Sequence, residues 1–145
     1  MASRAMIDEF MAQKKLALVR ESRKKPVSGF SIDKELGARG YSVFVVYLDE
    51  DAPGATLKGL KEPVGGVILA LASSETEKAV RQAIDAKIPR VWIQKNSASK
   101  AALELCEKNG IKTVHGECIM MFAEPVKSFH AFHRFLMKML GKLPN

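Results

Sequence analysis

The chain turns on Leu16-Ala17-Leu18-Val19 and the turn after it, Arg20-Glu21-Ser22-Arg23-Lys24-Lys25-Pro26-Val27-Ser28-Gly29. Four apolar residues in a row, bounded by charge, read as a strand buried on both faces. A helix-like segment follows, from about Ser28 to Ala38, with Gly40 as its C-terminal glycine. A strand that feeds a helix through a polar turn opens a doubly wound fold. Ligands of such folds lie at the C-terminal ends of the strands. The turn is therefore the first place to look for function.

Working outward, Ser3 caps a helix over about Arg4–Gln13 that places Ile7, Phe10 and Met11 on one face. Downstream, Ser42–Leu48 reads as a second buried strand, followed by a turn at Asp49–Gly54 and a short connection over Thr56–Pro63. Val67–Leu71 is a third strand. Ser73 or Ser74 caps the next helix, which runs to about Lys87 with Glu75 and Glu77 in its first turn. Arg90–Gln94 is a fourth strand, and Ser97 or Ser99 caps a helix through Asn109 that Gly110 ends. Ile111–His115 is a fifth. A loop through Gly116 and Cys118 leads to a last helix over about Val126–Leu140. Strands alternate with helices and no hairpin signal appears. The pattern predicts one α/β domain over residues 1–145: a Rossmann-like three-layer fold with a five-stranded parallel sheet, plus a C-terminal helix.

The 145 residues suffice for one domain with a real core, and 47% apolar with 27% charged residues is an ordinary soluble composition. The net charge of +7 favours an anionic partner: a phosphorylated cofactor, nucleic acid or an anionic membrane. Asp8 and Glu9 stand where an export signal needs an apolar core. No run approaches the roughly 18 apolar residues of a membrane span. Two cysteines, Cys106 and Cys118, are too few for a disulfide scaffold, so a cytoplasmic location is expected.

The turn after the first strand lacks the G-x-G-x-x-G of dinucleotide folds. Arg20, Arg23, Lys24 and Lys25 occupy it instead, with Ser22, Ser28 and Gly29 as small or hydroxyl positions. These cations can neutralise phosphates, and the N–H groups of the next helix can bind them. A solvated basic loop is the plainer reading. Asp49 stands where dinucleotide folds hold a ribose, although Asp is also common in turns. An acid there disfavours a 2′-phosphate, and hence NADP. His130 and His133 neighbour each other on the last helix, but no compact third and fourth ligand accompanies them, so no metal is expected. Cys106 falls on the apolar side of its helix. Cys118 follows the fifth strand, either as a reactive thiol near the crevice or as packing before Ile119, Met120 and Met121. No Ser–His–Asp set or paired carboxylate stands at a telling spacing, so catalysis has no positive signal.

Taken in order, these pieces resemble the stand-alone CoA-binding domains, similar to the CoA-binding domain of the succinyl-CoA synthetase alpha subunit. The resemblance covers about Leu16–Met121. It runs through ALVRES (17–22), Leu36…Arg39-Gly40-Tyr41, VFVVYL (43–48), Leu57-Lys58-Gly59 and Ser73–Glu75. Val91-Trp92-Ile93-Gln94, Asn109-Gly110-Ile111 and Cys118-Ile119-Met120 complete it. Two departures fall on positions that the resemblance implies contact the cofactor. Arg20-Glu21-Ser22 stands for the usual Gly-Ala-Ser, and Val46-Tyr47-Leu48 for the usual Val-Asn-Pro.

The resemblance implies non-catalytic binding of CoA or an acyl-CoA, as a carrier, sensor or regulatory subunit. Arg20, Ser22, Arg23, Lys24, Lys25 and Ser28 would hold phosphates. Leu48, Asp49, Leu71, Ala72 and Ser73 would flank the adenosine, and Gln94, Lys95 and Cys118 would line the far side toward the pantetheine. CoA also suits the charge, since its 3′-phosphate and diphosphate need more cationic partners than NAD does. Two rivals are an NAD- or nucleotide-binding redox-regulatory protein and the cofactor-binding subunit of an acyl-CoA ligase-type enzyme. A homodimer or a separate enzyme chain is the protein partner to expect. Nucleic acid is not expected, because no DNA or RNA motif accompanies the basic charge.

Overall fold

The apolar run is a strand, β1 (Lys15–Arg20), whose residues Leu16 to Val19 are wholly buried. The computed structural model describes residues 3–22, 31–50 and 56–123. The basic residues Arg23, Lys24 and Lys25, with Ser28, lie outside the described residues, as does the stretch 126–140 with His130 and His133. Helix α1 (Arg4–Met11) precedes β1, and α2 (Ile32–Gly37) and β2 (Ser42–Tyr47) follow it. A single 3-10 turn at Leu57–Gly59 leads to β3 (Gly66–Leu69), α3 (Ser73–Asp85), β4 (Arg90–Gln94), α4 (Lys100–Lys108) and β5 (Lys112–Glu117). A second 3-10 turn, Ile119–Met121, closes the described chain.

The five strands form one sheet in the order β2-β1-β3-β4-β5, and every neighbouring pair is parallel. β1 is flanked on both edges, with Leu18 opposite Val45 of β2 and Ile68 of β3. Period-two alternation sorts the apolar side chains into two cores. Leu16, Leu18, Ile68, Trp92 and Val114 pack with α1, α2 and Ile119–Phe122 on one face. Ala17, Val19, Val67, Leu69, Val91 and Ile93 pack with α3, α4 and Leu57 on the other. These are the three layers expected of a doubly wound domain.

Trp92 anchors the first face. It is fully buried, with Phe10 of α1 edge-on at 5.3 Å between ring centroids and Phe122 tilted at 5.9 Å. Its Nε1–H donates to the Glu117 carbonyl at 3.0 Å, so the one polar atom of the ring is satisfied. Phe10 also lies over Gly66, where an added Cβ would meet its ring at 2.6 Å. The glycine at the start of β3 is thus what lets α1 seat on the sheet.

Local signals place most helix ends. The Ser3 hydroxyl accepts the Met6 N–H at 3.2 Å and the Ser99 hydroxyl accepts the Ala102 N–H at 3.1 Å. Helix α3 departs from expectation: neither Ser73 nor Ser74 caps it, because the helix starts at Ser73 and Ala72 is its N-cap residue. The fifth strand starts at Lys112 and runs on to Glu117, past the predicted end at His115. Its extension passes a bulge, with Ile93 opposite His115 but Gln94 opposite Glu117. The residue skipped is Gly116, at a φ of +81°, a conformation that suits a residue without Cβ.

Helices α2 and α4 end in left-handed glycines, Gly40 and Gly110, with the next N–H returning to Leu36 and Cys106 carbonyls at 3.1 and 3.0 Å. Helix α3 ends in the same way, with Ile88 N–H returning to the Ala83 carbonyl at 3.0 Å, but its left-handed residue is Lys87, at a φ of +60°. The Cβ of a non-glycine residue there is crowded by about 1 kcal/mol. Lys87→Gly is therefore expected to raise the melting temperature by a few degrees, read by thermal denaturation. A lowered value would show that the Lys87 side chain contributes more than the strain costs.

Candidate functional site

A parallel sheet delivers all its C-terminal strand ends to one edge, and the direction of strand addition reverses at β1. β2 lies on one side of β1, and β3, β4 and β5 on the other. The crevice between β1 and β3 is thus the topological switch point, where open α/β sheets bind ligands. The ladder between these strands ends with Ala70 N–H donating to the Val19 carbonyl at 3.1 Å. Beyond that bond the two chains part, β3 entering α3 and β1 entering the turn at Glu21.

The expected site residues that the structure describes line this edge in the order of the strands. Arg20 ends β1 and Ser22 follows, half-buried. Leu48 and Asp49 follow β2 and stay tied to the β1 side, where their N–H groups donate to the Arg20 and Glu21 carbonyls at 2.8 and 3.2 Å. Leu71, Ala72 and Ser73 follow β3. Gln94 ends β4, with Lys95 exposed after it, and half-buried Cys118 follows β5. Leu48 and Leu71 are 7% and 6% exposed and send their side chains into the core under α3 and α4. Ala72, Ser73, Asp49 and Lys95 are exposed.

Arg20, the last residue of β1, and Glu21, the first beyond it, make contacts with different elements. Arg20 turns toward α2, where its Nη2 stands 3.6 Å from the Asp33 carboxylate and is itself buried without a hydrogen bond. Burial opposes ionisation of Asp33, but the Ser31 hydroxyl, backbone N–H groups and the Arg20 charge outweigh it and hold its carboxyl below the usual range. Glu21 turns the other way, and its Oε1 accepts the Ala72 N–H across the mouth of the crevice.

Two further contacts stiffen the edge between β3 and β4. The Ser97 hydroxyl, 5% exposed, accepts the Leu71 N–H at 3.1 Å. The fully buried Thr76 hydroxyl of α3 donates to the Ser97 carbonyl at 2.5 Å. Asn96, between β4 and Ser97, takes a left-handed φ of +75° to make the turn. At the far end the Gln94 amide holds both partners: Nε2 donates to the Cys118 Sγ at 3.5 Å and Oε1 accepts the Ile119 N–H at 2.8 Å. The Gly116 bulge is what brings Glu117 opposite Gln94 and Cys118 to the edge beside it. Burial pushes the Glu117 carboxyl up, with Lys95 opposing, and burial pushes His115 down. Cys106 is buried in the other core at 1% exposure, and that burial raises its thiol.

Glu21, Thr76, Ser97 and the Gly116 bulge are edge residues that periodicity missed. A glycine near the end of a strand is a bulge signal, and a serine three residues past a strand can close a turn as well as cap a helix. Among the described residues no group of three His, Cys, Asp or Glu side chains could hold a metal ion. No described helix is long and apolar enough to cross a membrane. A groove of about 480 Å³ lies at the opposite edge, before β3 and β4, with Lys58, Lys61 and Lys87 around Leu57, Leu60 and Ile88. It belongs to neither the switch point nor the expected site residues.

The family model for the CoA binding domain matches residues 14–124, from the start of β1 past the turn after β5. No curated protein matches the chain. Among solved structures, the chain is similar to Prb, a protein redesigned for binding, at 21% identity and a TM-score of 0.72, covering 89% of this chain and 96% of the other. It is similar to a hypothetical protein from Pyrococcus horikoshii OT3 at 26% identity and a TM-score of 0.67, covering 79% and 84%. A conserved hypothetical protein from Pyrococcus furiosus matches at 23% identity and a TM-score of 0.62, covering 73% and 96%. These structures bear out the fold.

Two outcomes are expected from this geometry. Ser97→Ala leaves the buried Leu71 N–H without an acceptor and should cost about 1–3 kcal/mol in chemical denaturation; an unchanged midpoint would mean that water replaces the hydroxyl. On the native protein a maleimide should label Cys118 before Cys106, as peptide mapping of the mass-labelled chain will read. Equal labelling rates would mean that α4 opens as readily as the edge is exposed.

Proposed function

The chain belongs to the CoA-binding domain family, and from that premise we propose that it binds CoA or an acyl-CoA in the β1–β3 crevice without catalysing a reaction on it. The observation that carries this reading is the coincidence of the family match with a sheet whose direction reverses at β1, beside a turn rich in cations. CoA brings a 3′-phosphate and a diphosphate, and the turn supplies Arg23, Lys24 and Lys25, with Ser22 and Ser28 as hydroxyl donors. Arg20 would act on these phosphates from behind, since Asp33 shares its charge.

The adenosine would lie over the ends of β2 and β3, near Asp49, Ala72 and Ser73, with the core residues Leu48 and Leu71 supporting the backbone there. The pantetheine arm would run along the edge toward Gln94, Lys95 and Cys118. A site with no nucleophile–base pair among its described residues suits a carrier, sensor or regulatory subunit better than an enzyme. A thioester on the arm would end near a cysteine held by an amide.

The test is a thermal-shift series with CoA, acetyl-CoA, dephospho-CoA, NAD and ATP. A ligand at a hundredfold excess over its Kd stabilises the native state by about 2.7 kcal/mol, which is readily measured. CoA should stabilise more than dephospho-CoA, and Lys24→Glu combined with Lys25→Glu should weaken CoA binding, as raised salt should in the unaltered protein. No stabilisation by CoA, with a shift by NAD, would replace this reading with a dinucleotide one.

A further inference from the structure

Resting on that reading, we propose that Glu21 is a built-in anion that competes with the ligand's diphosphate for the β1–β3 crevice, so that the protein holds CoA more weakly than the same crevice would without it. β1 and β3 stop pairing at Ala70, and the gap beyond is spanned by the Glu21 carboxylate, which accepts the Ala72 N–H. Ala72 is the N-cap residue of α3, a helix of 13 residues with no side-chain cap of its own. The expected caps Ser73 and Ser74 do not serve it, and the acceptor at this end comes from the neighbouring strand.

A carboxylate oxygen and a phosphoryl oxygen ask for the same thing: a backbone N–H donor and positive surroundings. Both cannot occupy the crevice mouth. A diphosphate that enters must displace Glu21 from Ala72 and then lie beside its charge. Arg20 is committed to Asp33 of α2, and Glu21, one residue beyond β1, turns instead to the residue that precedes α3. Asp49 N–H also donates to the Glu21 carbonyl, which fixes the backbone from which the carboxylate projects. The cations of the turn and the Glu21 carboxylate thus act on the diphosphate with opposite sign. Two like charges about 6 Å apart at a partly solvated edge cost roughly tenfold in affinity.

The test uses the full chain as wild type, Glu21→Ala and Glu21→Gln, titrated calorimetrically with CoA and with dephospho-CoA. Both ligands carry the diphosphate, so Glu21→Ala should bind each about tenfold more tightly than wild type. Glu21→Gln keeps an acceptor for the Ala72 N–H but drops the charge, so it should gain less, and it serves alone if the alanine variant does not fold. Wild type that binds CoA, with variants of equal or lower affinity, would make Glu21 a structural clasp and overturn the proposal while leaving the CoA reading intact. A gain for CoA but none for dephospho-CoA would place Glu21 against the 3′-phosphate and overturn the competition for the diphosphate. Failure of all three proteins to bind either ligand would overturn the CoA reading, and this proposal with it.

Discussion

The constraint on which the rest depends is the complete enclosure of β1. Its four central residues are buried on both faces, and both its edges are paired, by β2 and by β3. A strand in that position leaves the chain no neighbouring place to continue on one side without leaving a gap on the other. The chain goes to β2 through α2 on one face, then crosses to β3 and proceeds outward through α3 and α4 on the other face. The crevice is the geometric result of that reversal. The apolar run and the crevice are therefore two ends of one decision.

The far half of the sheet is fastened by a different device. Trp92 fills the space between α1 and the turn after β5, and its ring N–H reaches the Glu117 carbonyl just past the bulge at Gly116. The same bulge brings Cys118 beside Gln94 at the C-terminal edge of the sheet. One packed aromatic thus sits against the turn that positions the cysteine after β5. Ser97 and Thr76 lock the β3 and β4 ends and stiffen the described edge.

Charge along that edge is arranged in opposition. The chain carries a net +7, and Arg20-Glu21-Ser22-Arg23-Lys24-Lys25 is a cation-rich stretch of its sequence. The first two residues of that stretch are nevertheless engaged, Arg20 with Asp33 and Glu21 with the Ala72 N–H. The cation that ends β1 and the acid one position beyond it thus make their contacts with different elements, Arg20 with α2 and Glu21 with the residue before α3. This balance distinguishes Arg20-Glu21-Ser22 from the small-residue loop that the family resemblance implies.

The sequence by itself determined the five strands, the described helices between them and the apolar faces that most of them bury. Burial of a whole strand or one helix face writes a local apolar period, as in Leu16–Val19, Val91–Ile93 and the Ile7, Phe10, Met11 stripe. It also carried the family, through the order and spacing of many short pieces from Leu16 to Met121. It did not determine which serine would cap and which would lock, since Ser97 and Ser99 are alike until a Leu71 N–H is placed beside one of them. Nor did it reveal that Arg20 would meet Asp33, that Glu21 would reach Ala72, or that Gly116 would carry β5 on to Glu117. Only the tertiary structure decided those, because each joins residues from different elements through strand order and register, and no local pattern of hydrophobicity encodes which strand will lie beside which.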